Sequence, residues 1–309
     1  MPWLPFNHRL LLYSHCIQLK YRKVSVKVID THNHIWHCQG EHFAWITDDL
    51  AAIRRDFLID DLQAVLAENH IEGAILVQAI PSIEETEWLL EIAEHHDEVK
   101  GVVGWVDINR GAGIAEDLQR LQRKSRYLKG IRYMSQGLPE SHLVTPQFIQ
   151  GVRCVGEQGL VYELLVTHQQ LEAASQLISA CPEVTFVIEH AAKPAVRDGE
   201  ITRWREQLML IGEAYSNVFC KLSGLVTEAD YARWTGPEQA SQELEPYFSS
   251  VFAAFGDERV MYGSDWPVSL LALPYADTLG LYQNYLQSHQ ALSSDNFFYR
   301  VAEKVYSLK

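Results

Sequence analysis

His32 and His34 stand two residues apart in the run Val-Ile-Asp-Thr-His-Asn-His-Ile-Trp, residues 28–36. An extended strand sends residues i and i+2 to the same face, so both imidazoles leave the strand on one side, as a ligand pair would. A second run, Met261-Tyr262-Gly263-Ser264-Asp265-Trp266-Pro267, sets a carboxylate between a glycine and a proline. Glycine permits close backbone approach and proline fixes the following turn, so Asp265 is held rather than free to swing. The chemistry these residue types suit is addition of water to a carbonyl. An aspartate beside imidazoles or a metal can take a proton from water and return it to the departing oxygen. Histidines and an arginine, or a divalent ion held by the histidines, stabilise the developing oxyanion. With thirteen histidines in 309 residues, an H-x-H pair arises by chance in roughly every second chain, so the surrounding elements decide its meaning.

Those elements alternate. From Val26 onward, short β-branched runs are separated by longer amphipathic ones, the pattern of parallel strands linked by helices. Expected strands are Val26–Thr31, Gly73–Gln78, Val102–Asp107, Leu128–Arg132, Leu160–Val166, Thr185–Glu189, Val218–Lys221 and Val260–Gly263. Apolar residues at helical spacing lie between them, such as Leu62, Val65 and Leu66, then Trp88, Leu89 and Ile92. Pro146 and Pro237 suit helix starts, and Tyr275 to Leu308 reads as helical. Eight such units in this length predict a single (β/α)8 TIM barrel, whose functional groups come from the C-terminal ends of its strands. A doubly wound nucleotide-binding sheet is disfavoured, because Gly111-Ala112-Gly113 lacks the third glycine and follows no clean strand-to-helix turn.

Strand ends then supply a short list: His32 and His34, Arg132, Glu163 and His168, His190, Lys221, and Asp265. In a barrel these converge on one mouth. Plainer roles compete: His32 and His34 as hydrogen-bonded core histidines, Asp265 as a cap, Arg132 and Lys221 as rim charges, His168 as a helix cap. The other histidines considered (His8, His15, His37, His42, His95, His96 and His142) read as surface residues. Trp36, Trp45 and Trp266 are core candidates, although Trp36 and Trp266 lie beside the proposed ligands, where a flat wall against a ring substrate is useful.

Composition sets the outer limits. The chain is 47% hydrophobic and 21% charged, with a formal net charge of −14. No basic stripe suits nucleic acid and no stretch is apolar enough to span a membrane. Five scattered cysteines (Cys16, Cys38, Cys154, Cys181, Cys220), never in C-x-x-C spacing, read as reduced thiols of a cytoplasmic protein. Residues 1–25 read as a disordered or mis-assigned extension, without the apolar length and cleavage site of a signal peptide, and the barrel domain as 26–309. Removal of residues 1–24 is expected to leave fold and activity intact.

Five stretches together carry a resemblance: Asp-Thr-His-Asn-His-Ile-Trp at 30–36, Leu-Lys-Gly-Ile-Arg at 128–132, Glu-His-Ala-Ala-Lys-Pro at 189–194, Cys-Lys-Leu-Ser-Gly-Leu at 220–225 and Gly-Ser-Asp-Trp-Pro-Val at 263–268. From about Val26 to the C-terminus the chain resembles the amidohydrolase-related (amidohydrolase 2) proteins. Within them it is similar to the sugar-lactonase branch of fuconolactonases and rhamnonolactonases, related to pyrone-dicarboxylate lactonase. The resemblance implies a barrel hydrolase that opens a sugar-derived cyclic ester to a hydroxy acid. It implies Asp265 as the group that activates water, His32, His34 and His190 as carbonyl polarisers, and Arg132 and Lys193 as contacts to substrate oxygens. Glu163 stands where the branch carries an aspartate, one methylene shorter, and is expected to touch substrate. The segment Tyr-Arg-Val-Ala-Glu-Lys-Val-Tyr near the C-terminus departs from the branch's Asn-Ala pair.

For the cofactor, the resemblance implies a divalent metal on His32, His34 and Asp265, with zinc suited to such donors, while a reaction without metal stays open. The partner implied is a small-molecule sugar lactone, and a homo-oligomer is left open. The competing activity is a metal-dependent decarboxylase of an unsaturated or aromatic acid, which a metal-ligand histidine at the fifth strand would favour. A third possibility is a non-catalytic binding protein on the same scaffold.

Overall fold

The computed structural model describes residues 26–308. The N-terminal extension and Cys16 lie outside the described residues, and the four described cysteines are free thiols. Eight strands form one parallel sheet in sequential order: β1 (Ile29–Asn33), β2 (Gly73–Val77), β3 (Val99–Gly104), β4 (Leu128–Met134), β5 (Val161–Leu165), β6 (Phe186–Ile188), β7 (Val218–Leu222) and β8 (Val260–Tyr262). The main crossover helices are α1 (Ile59–Glu68), α2 (Ile83–His95), α3 (Ala115–Lys124), α4 (Pro146–Glu157), α5 (Leu171–Ala180) and α6 (Thr202–Ala214). They continue with a short α7 (Leu225–Glu228), α8 (Pro237–Phe255) and α9 (Tyr275–Ser288). This is the (β/α)8 barrel that the alternation predicts. Pro146 and Pro237 each open a helix, where the missing amide hydrogen has no intrahelical acceptor to lose.

Strand limits depart from the expected ones for local reasons. β3 begins three residues early and ends at Gly104, because the Trp105 amide leaves the sheet to donate to Thr86 Oγ1 at 2.8 Å. β6 stops at Ile188, where the chain turns left-handed. The C-terminal region is not one helix: α9 ends at Ser288, and a π-helical turn, Asn296–Arg300, leads into α10 (Val301–Val305).

Two apolar layers result. One lies between sheet and helices. The other fills the lower barrel with Ile29, Ile75, Val103, Val161, Val187, Phe219 and Met261, and the C-terminal Val301, Ala302 and Tyr306 close it from below. Ile29 belongs to this interior layer, so strict alternation would turn His32, three residues on, outward. The β1–β2 register shifts between Asp30 and Asn33, a bulge that re-aims the following side chains and returns His32 and His34 to the interior.

Candidate active site

The barrel closes where the two chemical motifs meet. Beyond β8, the Asp265 amide donates to the His32 carbonyl at 3.0 Å and the His34 amide donates to the Trp266 carbonyl at 2.8 Å. The backbone therefore sets the distance between histidines and carboxylate. Gly263 is required at this seam, since a Cβ there would lie 2.8 Å from His32 Cβ. Asp265 itself takes a positive φ of 61°, a left-handed conformation that costs on the order of 1–3 kcal/mol and persists only where neighbours enforce it. Asp30 is one such neighbour: its carboxylate accepts from the Ser264 amide at 2.8 Å and from Tyr275 Oη at 2.8 Å.

His32 Nε2 and His34 Nε2 lie 3.1 Å apart, and Asp265 Oδ1 lies 3.7 and 3.6 Å from them. All three residues are buried. His34 Nδ1 is 2.7 Å from the Val77 carbonyl, which can only accept, so Nδ1 carries the proton and Nε2 presents a lone pair. His32 Nδ1 faces Glu189 Oε1 at 3.3 Å and has no other polar partner. An ionised Glu189 favours the proton on that nitrogen too, leaving a second lone pair on His32 Nε2. Two lone pairs and a carboxylate converging in a buried space repel one another unless a cation or a proton sits among them. The donor set thus fits a metal ion. Burial, with the charges of His190 and Lys221, holds His32 well below the usual histidine range, so it is neutral and competent as a ligand.

His190 comes from the turn after β6, where His190, Ala191, Ala192 and Lys193 all have positive φ between 47° and 60°. Its Nδ1 pairs with Ser223 Oγ at 3.0 Å, leaving Nε2 for a ligand. Burial lowers its pKa, against the opposing pull of Asp265. Burial alone would raise the Asp265 pKa, but His190, His34 and Lys193 outweigh it and hold the carboxyl below its ordinary value. An ionised carboxylate is what proton abstraction from water requires. Gly224 packs against both groups: at φ 64°, a Cβ on it would sit 2.5 Å from His190 Nδ1 and 3.1 Å from Asp265 Oδ2.

Beneath these residues lies a buried ionic layer. Arg132 Nη1 donates to Glu189 Oε2 at 3.1 Å, and Nη2 donates to the Gln78 carbonyl. Burial raises the Glu189 pKa, but Arg132 outweighs it and holds the carboxylate ionised. Lys221 Nζ donates to Glu163 Oε2 at 2.6 Å, and Tyr306 Oη donates to Glu163 Oε1 at 2.5 Å. Burial pushes the Glu163 carboxyl up, while the Lys221 ammonium paired with it pulls the other way. Glu163 is therefore corrected from substrate contact to interior ion pair: it is fully buried and lines no part of the mouth. Lys221, for which a rim charge is the plainer of two readings, is likewise wholly buried.

The mouth is a cavity of about 450 Å³ lined by His34, His190, Asp265, Arg132, Lys193, Trp36 and Met134 among others. Of the proposed walls, Trp36 reaches it. Trp266 does not: its ring packs edge-on against Phe57 at 5.3 Å, outside the mouth. Trp45, half exposed, and His42, read as a surface residue, stand at the rim instead. Lys193 Nζ donates to Glu228 Oε1 at 2.5 Å. His168 Nδ1 hydrogen-bonds the Lys193 carbonyl at 2.9 Å and belongs to neither ligand cluster found among the described residues. His142 is stacked on Tyr133 rather than free at the surface. Reading strand ends overlooked Asp30, Glu189, Ser223 and Gly224. Their signal was available, since each lies inside one of the five stretches that carry the resemblance.

The barrel carries paired histidines at the end of β1 and an aspartate after β8, and residues 29–308 match the amidohydrolase family Amidohydro_2. The chain belongs to that family. It is 35% identical over 250 residues to an L-fucono-1,5-lactonase of Burkholderia ambifaria, covering 81% of this chain and 83% of that protein. An L-rhamnono-gamma-lactonase of Scheffersomyces stipitis is 23% identical over 202 residues, 59% of each chain. Among solved structures, a zinc-bound amidohydrolase from Burkholderia multivorans superposes with a TM-score of 0.85 at 31% identity, over 92% of this chain and 100% of that one. Among the described residues, no helix is long and apolar enough to cross a membrane.

Proposed function

We propose that this enzyme opens the cyclic ester of a sugar-derived lactone, an aldonolactone such as a fucono- or rhamnonolactone. The observation that carries the reading is the convergence of Asp265, His34 and His190 on one cavity, with His32 buried against them, in a chain similar to a lactonase along most of its length. Asp265 takes a proton from water as the water oxygen bonds to the lactone carbonyl carbon. In the tautomer whose Nδ1 accepts from Ser223 Oγ, His190 carries Nε2–H and donates it to the oxyanion so formed. When the carbonyl re-forms, the bond from carbon to ring oxygen breaks, and Asp265 returns its proton to the departing alkoxide. Arg132 and Lys193 hold substrate oxygens, and Trp36 supplies an apolar wall. His32, His34 and Asp265 would hold a divalent ion, zinc being the proposed one, which when bound polarises the carbonyl as a Lewis acid.

A decarboxylase reading is weaker, because His168 is committed to the Lys193 carbonyl and supplies no strand-five ligand. The test is a screen of five- and six-membered sugar lactones followed by acid release with a pH indicator, with and without chelator. Acid release from at least one neutral sugar lactone is expected. Release of carbon dioxide from an aromatic acid, with no lactone turned over, would contradict it.

A further inference from the structure

The geometry points to Glu228 as a specificity-determining residue that turns anionic lactones away, an inference that rests on the lactonase reading above. Two permanent cations line the cavity among the described residues, Arg132 and Lys193. Each is already matched by a carboxylate of this chain: Arg132 by Glu189 at 3.1 Å and Lys193 by Glu228 at 2.5 Å. The remaining charged group at the mouth, Asp265, is negative. A substrate carboxylate would therefore find no unmatched cationic side chain to pair with. It would give up its hydration for a wall whose two cations are already matched. A ring bearing only hydroxyls pays no such penalty, since a paired ammonium still has hydrogens to donate.

Of the two pairs, the Lys193 pair is the adjustable one. Arg132 and Glu189 are buried beneath the histidines, whereas the Lys193 and Glu228 side chains are each about a quarter exposed, 23% and 24%. Lys193 is fixed from the backbone side: its amide donates to the His190 carbonyl at 2.9 Å and its own carbonyl is bonded by His168. The ammonium position then depends on Glu228, the last residue of α7. Removing the Glu228 charge leaves an unmatched cation at the cavity wall and reverses the preference, specificity here being the difference between two affinities.

The experiment compares kcat/KM for an aldonolactone and for the aldarolactone of the same ring configuration, which carries –COO⁻ in place of –CH2OH. Wild type is expected to favour the neutral ring. In Glu228→Gln the ratio moves at least about tenfold toward the anionic ring, an effect that weakens with added salt. Glu228→Asp, which keeps the charge, stays near the wild-type ratio, and adding Lys193→Met to Glu228→Gln removes the gain. An active wild type that takes both rings equally, or a Glu228→Gln ratio within about twofold of wild type, overturns this inference alone. A wild type that hydrolyses neither these nor any other sugar lactone overturns the lactonase reading, and this inference with it.

Discussion

The lower and upper halves of the barrel interior are lined by one sheet, yet they are built by opposite rules. Below, Ile75, Val103, Val161, Val187, Phe219 and Met261 pack on one another and on the C-terminal Val301 and Ala302. Above, Arg132, Glu189, Glu163, Lys221, His32 and His190 replace them with charges and rings, all buried. The lower half follows regular strand alternation. The upper half departs from it at three places: the β1 bulge, the left-handed turn after β6 and the positive φ of Asp265. A regular strand can build a floor, but aiming three histidines and a carboxylate at one point takes irregular backbone held by paired charges.

That contrast can be broken from either side. The largest effect short of removing a reacting group is expected at Gly224→Ala, because the new methyl meets His190 Nδ1 and the residue loses its left-handed freedom. Activity should fall about 100-fold with the fold retained, as steady-state kinetics beside a circular dichroism spectrum would show. Next is Lys221→Met, which strands Glu163 in the ionic layer. It should cost about 3–5 kcal/mol in urea unfolding, and the double replacement Glu163→Leu with Lys221→Met should recover part of that, since no charge is then left buried alone. Tyr306→Phe removes one hydrogen bond where floor meets ionic layer, and about 1–2 kcal/mol should be lost with a minor effect on kcat.

The pH profile offers the finest test of the upper layer. Asp265 is held below its ordinary value of 3.8 and burial holds His190 below 6.5. As pH falls, both therefore keep their working state, ionised and neutral, past the ordinary histidine midpoint. The acid limb of kcat/KM should lie below pH 6.5. A midpoint at or above that value would show that burial does not hold His190 neutral as described.

The same contrast explains what the sequence reveals. Eight strands and their order are legible because strands buried on both faces read as short β-branched runs between amphipathic helices, and Gly263-Ser264-Asp265-Trp266-Pro267 marks its own rigidity. His34 lines the mouth and His32 lies buried beside it, both aimed there by a bulge that no side-chain pattern announces. Glu163, Lys221 and Trp266 sit on or beside strands just as the substrate-facing residues do. Only the layer each occupies, fixed by tertiary packing, separates an ion pair or a core ring from a substrate contact. Lys193 and Glu228 illustrate the same limit: they are 35 residues apart and meet only once β6 and β7 are neighbours.

The account turns on Asp265 as the group that moves the proton. The most direct test is Asp265→Asn, compared with wild type on whichever sugar lactone the screen finds best, by initial rates of acid release. The asparagine keeps the size and the backbone seam but cannot accept a proton from water. A fall in kcat of about 10³-fold or more with an unchanged circular dichroism spectrum is the expected result. A variant that retains near wild-type kcat would contradict the assignment.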